Sequence, residues 1–210
     1  MYRILGTHNT SKTQGITTVK YTIPAILFAG GKSSRMGEDK ALLPFENYNT
    51  LSEFQYQKLK QWFNEVYISS KTNKFPFPAK VIKDNYSESS PLIGLISVFE
   101  QLESEAVFIL SVDAPLTNKK VVKKLWDAYK NESKVHAIIA QSPSGFQPLC
   151  GIYRKSILPY AKINLENNKH RIKDLLKEYP SKNVLFKEDT PFTNINTQKD
   201  YLRLLSTNFC

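Results

Sequence analysis

Short apolar runs take turns with longer amphipathic stretches along most of this chain. Apolar runs of this length are too short for the helices of a globular protein, so they predict buried strands. The predicted strands are residues 23–28, 66–69, 81–82, 106–112, 137–140 and 184–186.

Apolar residues at helical spacing predict helices between these strands. The predicted helices are residues 51–63, 117–130 and 197–205, one that begins at Pro91, and two within residues 156–176 that break around residues 166–168. Thr50 with Glu53, and Thr197 with Asp200, have the spacing of capping boxes. Alternation of strands and helices predicts an α/β fold with a mostly parallel sheet.

A glycine-rich loop follows the first predicted strand, at residues 29–37. Glycines let the backbone approach a ligand closely, and successive N–H groups in a tight turn bind phosphate oxygens. Arg35 and Lys40 add cations to the loop. The pattern therefore favours a phosphate-rich ligand such as a nucleoside triphosphate, although an ordinary glycine turn with solvated lysines has the same composition. The spacing is neither that of a Walker A loop nor G-x-G-x-x-G.

Asp113 follows the most apolar of the predicted strands. A buried parallel strand that ends in an acid places a carboxylate at the edge of the sheet where ligands bind in α/β proteins. Asp113 also comes two residues before Pro115, and aspartate is common in such turns. The residues alone leave a functional carboxylate and a turn cap equally open.

The stretch AGGKSSRMGEDKALLP at residues 29–44 is similar to the signature of the molybdenum cofactor guanylyltransferases. Later segments extend the resemblance, at residues 84–94, 111–116, 145–153 and 192–200. The resemblance implies a three-layer Rossmann-like fold, in which a mostly parallel twisted sheet has helices on both faces. It also implies transfer of GMP from GTP to the phosphate of a molybdopterin cofactor, with Mg²⁺ bound by Asp113.

The resemblance assigns site residues by position in this sequence. It implies catalytic roles for Arg35, Lys40 and Asp113, nucleotide contacts from Phe28, Ala29, Gly30, Gly31, Lys40, Ser69, Asp84 and Asp113, and acceptor contacts from Gln147, Asn194 and Asn196. Ser69 stands where the family often has asparagine, and Gln147 where it often has histidine, so Gln147 is assigned no acid–base role. His170 and Arg171 could reach an anion, but we expect them on the surface.

The chain has 29 Lys and Arg residues against 19 Asp and Glu, a net charge of +10. The lysines are scattered, which favours a solvated basic surface over a nucleic-acid track. Two cysteines without metal-ligand spacing and no apolar run of membrane-spanning length indicate a cytoplasmic protein. We expect residues 1–20 to be a polar extension and residues 21–210 to be a single nucleotidyltransferase domain.

Several functions fit the sequence. The expected substrates are GTP and the molybdopterin cofactor, with contacts to proteins that deliver the cofactor or receive it, and with neither nucleic acid nor membrane. A sister enzyme that uses CTP, or a sugar-phosphate nucleotidylyltransferase, would share the glycine-rich loop. A cofactor-binding or nucleic-acid-binding protein without activity is the alternative from another class, and it predicts salt-sensitive binding to random DNA.

Overall fold

The computed structural model describes residues 20–30, 37–84 and 86–206. In these ranges the strands are β1 (Ala25–Phe28), β2 (Val66–Ser70), β3 (Val81–Lys83), β4 (Ala106–Ser111), β5 (Ala137–Ser142), β6 (Gly145–Arg154) and β7 (Ser181–Leu185). The helices are α1 (Leu51–Trp62), α2 (Pro91–Gln101), α3 (Lys119–Asn131), α4 (Leu158–Glu166), α5 (Ile172–Glu178) and α6 (Gln198–Ser206). Short 3-10 helices lie at Lys40–Leu42, Lys155–Ile157 and Thr190–Phe192. None of the helices in these ranges is both long and apolar enough to span a membrane.

The strands form one sheet in the order β3-β2-β1-β4-β6-β5-β7. Only β6 runs antiparallel to its neighbours among the described strands; the other pairs are parallel. The predicted mostly parallel sheet is therefore confirmed. Chain order reverses at β1, which pairs with β2 on one side and β4 on the other.

Both faces of the sheet are covered by helices, which confirms the three-layer prediction. Successive side chains of a strand point to opposite faces, and in β1 Ala25 and Leu27 belong to a different buried cluster from Ile26 and Phe28. The first cluster includes residues of α1, α3 and α6, and the second includes residues of α2, α4 and α5. Because β1 is buried on both faces, its sequence is apolar throughout rather than alternating.

Of the two predicted capping boxes, the one at α6 is complete, whereas at α1 the described contacts include only the hydrogen bond to the threonine hydroxyl. The Thr50 hydroxyl accepts from the backbone N–H of Glu53 at 3.0 Å. At α6 the exchange is reciprocal: the Thr197 hydroxyl accepts from the Asp200 N–H at 3.2 Å, and the Asp200 carboxylate accepts from the Thr197 N–H at 2.9 Å. Pro91 is the first residue of α2, as predicted, and Ser90 caps it.

Strand and helix boundaries differ from the predictions where a single residue decides. The first strand begins at Ala25 rather than Ile23, because Pro24 has no N–H for the sheet. The third helix begins after Asn118, whose side chain caps it, and not at Thr117. The predicted break between α4 and α5, by contrast, is confirmed, and Asn168 within it has a φ of 56°. Residues 1–19 lie outside the described residues, so the division into extension and domain stays a prediction.

Candidate active site

The ends of four parallel strands place the predicted site residues along one edge of the sheet. Phe28 at the end of β1 pairs with Ser69 of β2 and with Ser111 of β4. The chain therefore leaves the sheet on the same side at each of these strands, and Asp84 follows β3 there as well. Ligands of open α/β sheets bind at this edge, where the strand order reverses.

Lys40 and Asp113 form an ion pair at the reversal point. The Lys40 Nζ donates to the Asp113 Oδ2 at 2.8 Å, and the two side chains are 19% and 18% exposed. Lys40 opens a 3-10 helix whose first N–H groups are capped by Asp39, which accepts from Ala41 N at 3.0 Å. The Asp113 carbonyl accepts from the Ile195 N–H at 2.8 Å. The Asp113 carboxylate thus contacts the cation supplied by the first loop, which favours the functional interpretation of this acid over the turn cap.

A small cavity of about 100 Å³ lies at the ends of β1, β2 and β3. Its described lining residues are Phe28, Gly30, Ser69, Asp84, Ser89, Ser90, Pro91, Gly94, Ser111 and Leu149. Gly94 lets α2 approach the sheet closely, because a Cβ there would lie 3.1 Å from the Phe28 ring and 3.1 Å from the Ser69 hydroxyl. The cavity therefore has one aromatic wall and several hydroxyl groups.

Asp84 is the charged group of this small cavity. Its Oδ1 atom is buried, and no hydrogen-bond donor among the described residues reaches it. Burial raises the pKa of Asp84, while the nearby Lys71 ammonium opposes the shift. A buried acceptor without a partner costs free energy, so a ligand that donates a hydrogen bond to Oδ1 would bind favourably here.

A larger cavity of about 390 Å³ adjoins the small one, because Pro91, Ser111 and Leu149 line both. The larger cavity reaches Asp113 and also includes Gln147 and Asn194. The edge of the sheet thus has two neighbouring spaces, one at Asp84 and one at Asp113.

A sequence model of the family described as MobA-like NTP transferase domain matches residues 25–184. The chain belongs to this family. Members of the family with similar sequences include a molybdenum cofactor guanylyltransferase of Campylobacter jejuni, 36% identical over 86% of this chain and 94% of the relative. A protein with the same description from Helicobacter pylori is 34% identical over 85% of this chain and 90% of the relative.

The fold is also shared with solved structures. The crystal structure of molybdopterin-guanine dinucleotide biosynthesis protein A from Archaeoglobus fulgidus superposes with a TM-score of 0.74. The alignment covers 87% of this chain and 97% of that protein, at 18% sequence identity. At this identity the likeness demonstrates the Rossmann-like fold, and the sequence matches establish the MobA-like family.

Some of the predicted nucleotide-binding residues line the small cavity, and others do not. Phe28, Gly30, Ser69 and Asp84 line the small cavity. Ala29 is buried, its N–H donates to the Ser69 carbonyl at 3.1 Å, and it does not line this cavity. Gly31 and Arg35 lie outside the described residues, so their roles stay predictions.

Two of the three predicted acceptor-binding residues line the larger cavity, and the third does not. Gln147 and Asn194 line the larger cavity, and the Gln147 amide donates to the Ser142 hydroxyl at 3.1 Å, which orients it. Asn196 is not among the lining residues; its N–H donates to the Asp200 carboxylate at 3.2 Å, as part of the α6 cap.

Three basic residues of the larger cavity did not enter the predicted site: His170, Arg171 and Lys173. Arg171 is exposed, as expected, and His170 is partly exposed; both also line the cavity that contains Asp113. His170 Nε2 lies 3.2 Å from Glu88 Oε2, on the loop before α2. The signal in the sequence was a cluster of basic residues just after a predicted helix break.

The described residues fit a magnesium ion that is bound by one protein carboxylate and takes its other ligands from water and substrate. In residues 20–30, 37–84 and 86–206, no group of three or more His, Cys, Asp or Glu side chains could bind a metal. Mg²⁺ binds through one or two carboxylates and takes its other ligands from water and substrate phosphates. The single carboxylate of Asp113, beside an open cavity, is compatible with an ion of that kind and not with a site built from protein ligands alone.

Proposed function

We propose that this protein is a molybdenum cofactor guanylyltransferase, which transfers GMP from GTP to the terminal phosphate of the molybdopterin cofactor. The observation that carries the proposal is the Lys40–Asp113 pair at the sheet edge of a MobA-like NTP transferase domain, where Asp113 lines the larger of two adjoining cavities. The names of the similar relatives support the same substrates.

The reaction needs no covalent intermediate with the protein. An oxygen of the acceptor phosphate attacks the α-phosphorus of GTP, a new P–O–P bond forms, and the bond to the β-phosphate breaks to release pyrophosphate. The protein has to align two anions that repel each other and stabilise the charge of the transition state. Lys40 supplies a positive charge for this purpose, and we assign Arg35 the same role.

The two cavities suggest a division between the two substrates. The nucleoside of GTP would occupy the small cavity at Phe28, Gly30 and Ser69, and the glycine-rich loop, including Gly31, would bind the phosphates. The molybdopterin cofactor would occupy the larger cavity beside Gln147 and Asn194, with Asn196 as a more remote contact. Arg171 and Lys173 would pair with its phosphate.

Asp84 gives a chemical reason for guanine over cytosine. Guanine presents two adjacent hydrogen-bond donors, N1–H and the 2-amino group, and a carboxylate accepts both at once. Cytosine presents one amino group beside an acceptor nitrogen, which a carboxylate would repel. The Oδ1 atom of Asp84, buried and without a described donor, therefore favours GTP over CTP.

Asp113 would bind Mg²⁺ together with the phosphates of GTP. The bound ion would supply positive charge to the triphosphate and to the leaving pyrophosphate. Lys40 positions the Asp113 carboxylate through their shared hydrogen bond.

The remaining expectations are part of the same proposal. We infer that the protein acts in the cytoplasm on GTP and cofactor, and that it contacts proteins that deliver the cofactor or receive it. We expect neither nucleic acid nor membrane to bind. Residues 1–20 are proposed to precede a single domain at residues 21–210.

The deciding experiment offers GTP or CTP with Mg²⁺ and molybdenum cofactor, and identifies the dinucleotide product by mass. A guanine dinucleotide with release of pyrophosphate supports the proposal. A cytosine dinucleotide would assign the protein to the CTP-dependent alternative, and product formed only with a sugar phosphate would assign it to the sugar-phosphate nucleotidylyltransferases. Absence of any turnover, together with salt-sensitive binding to random DNA, would contradict an enzymatic role.

A further inference from the structure

A third cavity, of about 640 Å³, lies against α1 and shares no lining residue with the two cavities described above. Its described lining residues are Phe45, Glu46, Asn47, Tyr48, Phe54, Lys58, Trp62, Pro115, Leu116, Thr117, Asn118, Glu188, Thr190 and Pro191. We call it the α1 cavity. None of these residues lines either cavity of the candidate active site.

The α1 cavity and the larger active-site cavity are lined by the same two chain segments. In the first segment, Asp113 and Ala114 line the active-site cavity, and the next four residues, 115–118, line the α1 cavity. In the second segment, residues 188, 190 and 191 line the α1 cavity, while Phe192 and Asn194 line the other. The Thr117 hydroxyl donates to the Pro191 carbonyl at 2.8 Å and ties the segments together. A molecule bound in the α1 cavity would contact the segment that carries Asp113.

Lys58 is the basic residue among the described residues that line the α1 cavity. Its Nζ donates to the Pro115 carbonyl at 2.6 Å, and it lies 5.1 Å from the centre of the Phe54 ring and 5.9 Å from that of Trp62. In the described part of the chain no carboxylate forms an ion pair with this amine. Cations away from bulk water are ordinarily paired with an anion. An anion that enters the cavity would supply that missing charge.

The charged and titratable groups around Lys58 do not replace this anion. Glu46, Tyr48 and Glu188 line the cavity without an ion pair to the amine. Behind it, burial raises the pKa of the Cys150 thiol to about 12, so this group is neutral near pH 7. Burial also lowers the pKa of Lys58 to about 7, as expected for an ammonium group without a negative partner.

The walls of the cavity suggest the shape of the molecule that carries the anion. Phe45 and Phe54 have ring centres 4.9 Å apart, and Tyr48 lies with its ring centre 5.7 Å from that of Phe54. Phe45 is only 2% exposed and supports the Phe54 ring from behind, so the rings that a ligand could reach are those of Phe54 and Tyr48. Rings of this kind favour a flat apolar group, which stacks on them or meets their edges. We propose that the α1 cavity is a second binding site, which takes a small flat aromatic molecule whose carboxylate pairs with Lys58.

The two tryptophans of the chain provide a direct test. Trp62 lines the α1 cavity, whereas Trp126 packs against Tyr21 and Tyr129 and is not among the lining residues. Titration of ¹⁵N-labelled protein with 2-naphthoate should shift the indole N–H signal of Trp62 in a saturable way and leave that of Trp126 in place. The W126F variant assigns the two signals.

The uncharged 2-naphthamide separates charge pairing from apolar binding. A hydrogen bond to a charged group has a larger effect on affinity than a neutral one, so we expect the carboxylate to bind roughly tenfold more tightly than the amide. In K58Q this difference should disappear while the amide binds as before. K60Q makes the same change at an exposed lysine of the same helix, and there the difference should remain.

The wild-type protein gives a pH test that needs no variant. Naphthoate affinity should decrease as the pH rises above about 7 and Lys58 loses its proton, and naphthamide affinity should not. Equal binding of carboxylate and amide to the wild type would overturn the proposal. So would a carboxylate preference that survives in K58Q, a Trp62 signal that does not move, or displacement of naphthoate by GTP in direct competition. These outcomes do not depend on transferase activity, so the proposal can fail without the proposed function failing, and the reverse.

Discussion

The Nζ of Lys40 lies 2.8 Å from Oδ2 of Asp113, although the two residues are 73 positions apart in the chain. One belongs to the loop after the first strand, and the other to the end of β4, which pairs with that strand. The sheet thus brings a cation and a carboxylate together at its reversal point. Each side chain is positioned by the other before a nucleotide or a metal ion arrives.

Replacement of Asp113 by asparagine should abolish Mg²⁺-dependent transfer and leave the fold intact. The amide is similar in size and still accepts a hydrogen bond from Lys40, but it has no charge to bind the ion. A bound metal contributes several kcal/mol to charge stabilisation, so turnover should fall by about 100-fold or more. Steady-state assays of pyrophosphate release at several Mg²⁺ concentrations measure the effect.

D127N is a matched control, since Asp127 is an exposed carboxylate on α3 that pairs with Lys123 at 2.6 Å. It should have normal turnover, and both variants should unfold at nearly the same temperature as the wild type. Wild-type turnover by D113N would remove Asp113 from the site.

Replacement of Lys40 by alanine should weaken GTP binding. Loss of a charge-assisted contact to phosphate costs about 1.5–3 kcal/mol, which corresponds to a tenfold to hundredfold increase in Kd. Equilibrium titration with GTP gives the value directly. K123A removes a lysine that is far more exposed and pairs with Asp127, and its Kd should match that of the wild type. An unchanged Kd for K40A would contradict the phosphate role.

Replacement of Asp84 by asparagine should lower the affinity for GTP more than that for CTP. We expect a loss of about tenfold for GTP, since the amide cannot accept two donors of guanine as a carboxylate does. Burial raises the pKa of Asp84, and the ionised form is the one that accepts both donors. Wild-type affinity for GTP should therefore decrease on acidification at a pH above the usual aspartate range. Binding titrations over a pH series should show this decrease in the wild type and not in D84N; the same decrease in both would exclude Asp84 as the group responsible.

The hydrophobic pattern predicts most of the fold because both faces of the central strands are buried. The apolar run of β4, together with the alternation of strands and helices along the sequence, predicts a mostly parallel sheet. The errors fall where a local residue overrides the pattern, as Pro24 does at the start of β1. At the edge strand β7, exposed polar residues from Ser181 onward pair with β5 without an apolar signal.

The active-site residues were predictable to the extent that they follow strand ends. Lys40, Asp84 and Asp113 each come after a strand, so the sheet fixes their common edge. Arg171 and Lys173 do not follow a strand of that edge, and their position depends on how α5 packs against the rest of the fold. The environment of Lys58 depends on residues 115–118, 188, 190 and 191, which are distant from it in the chain, so helical spacing alone could not predict it.

Removal of the basic residues at the start of α5 should affect the acceptor and not the nucleotide. The molybdopterin cofactor carries a phosphate, and Arg171 and Lys173 line the cavity at Asp113 that the cofactor would occupy. The R171A/K173A double variant should raise the KM for the cofactor by about tenfold or more, while the KM for GTP stays within about twofold. K177A, an exposed lysine of the same helix outside the cavity, should leave both values unchanged. If the KM for GTP rises as much as that for the cofactor, the basic residues serve the triphosphate, and the division of the two cavities between the two substrates is wrong.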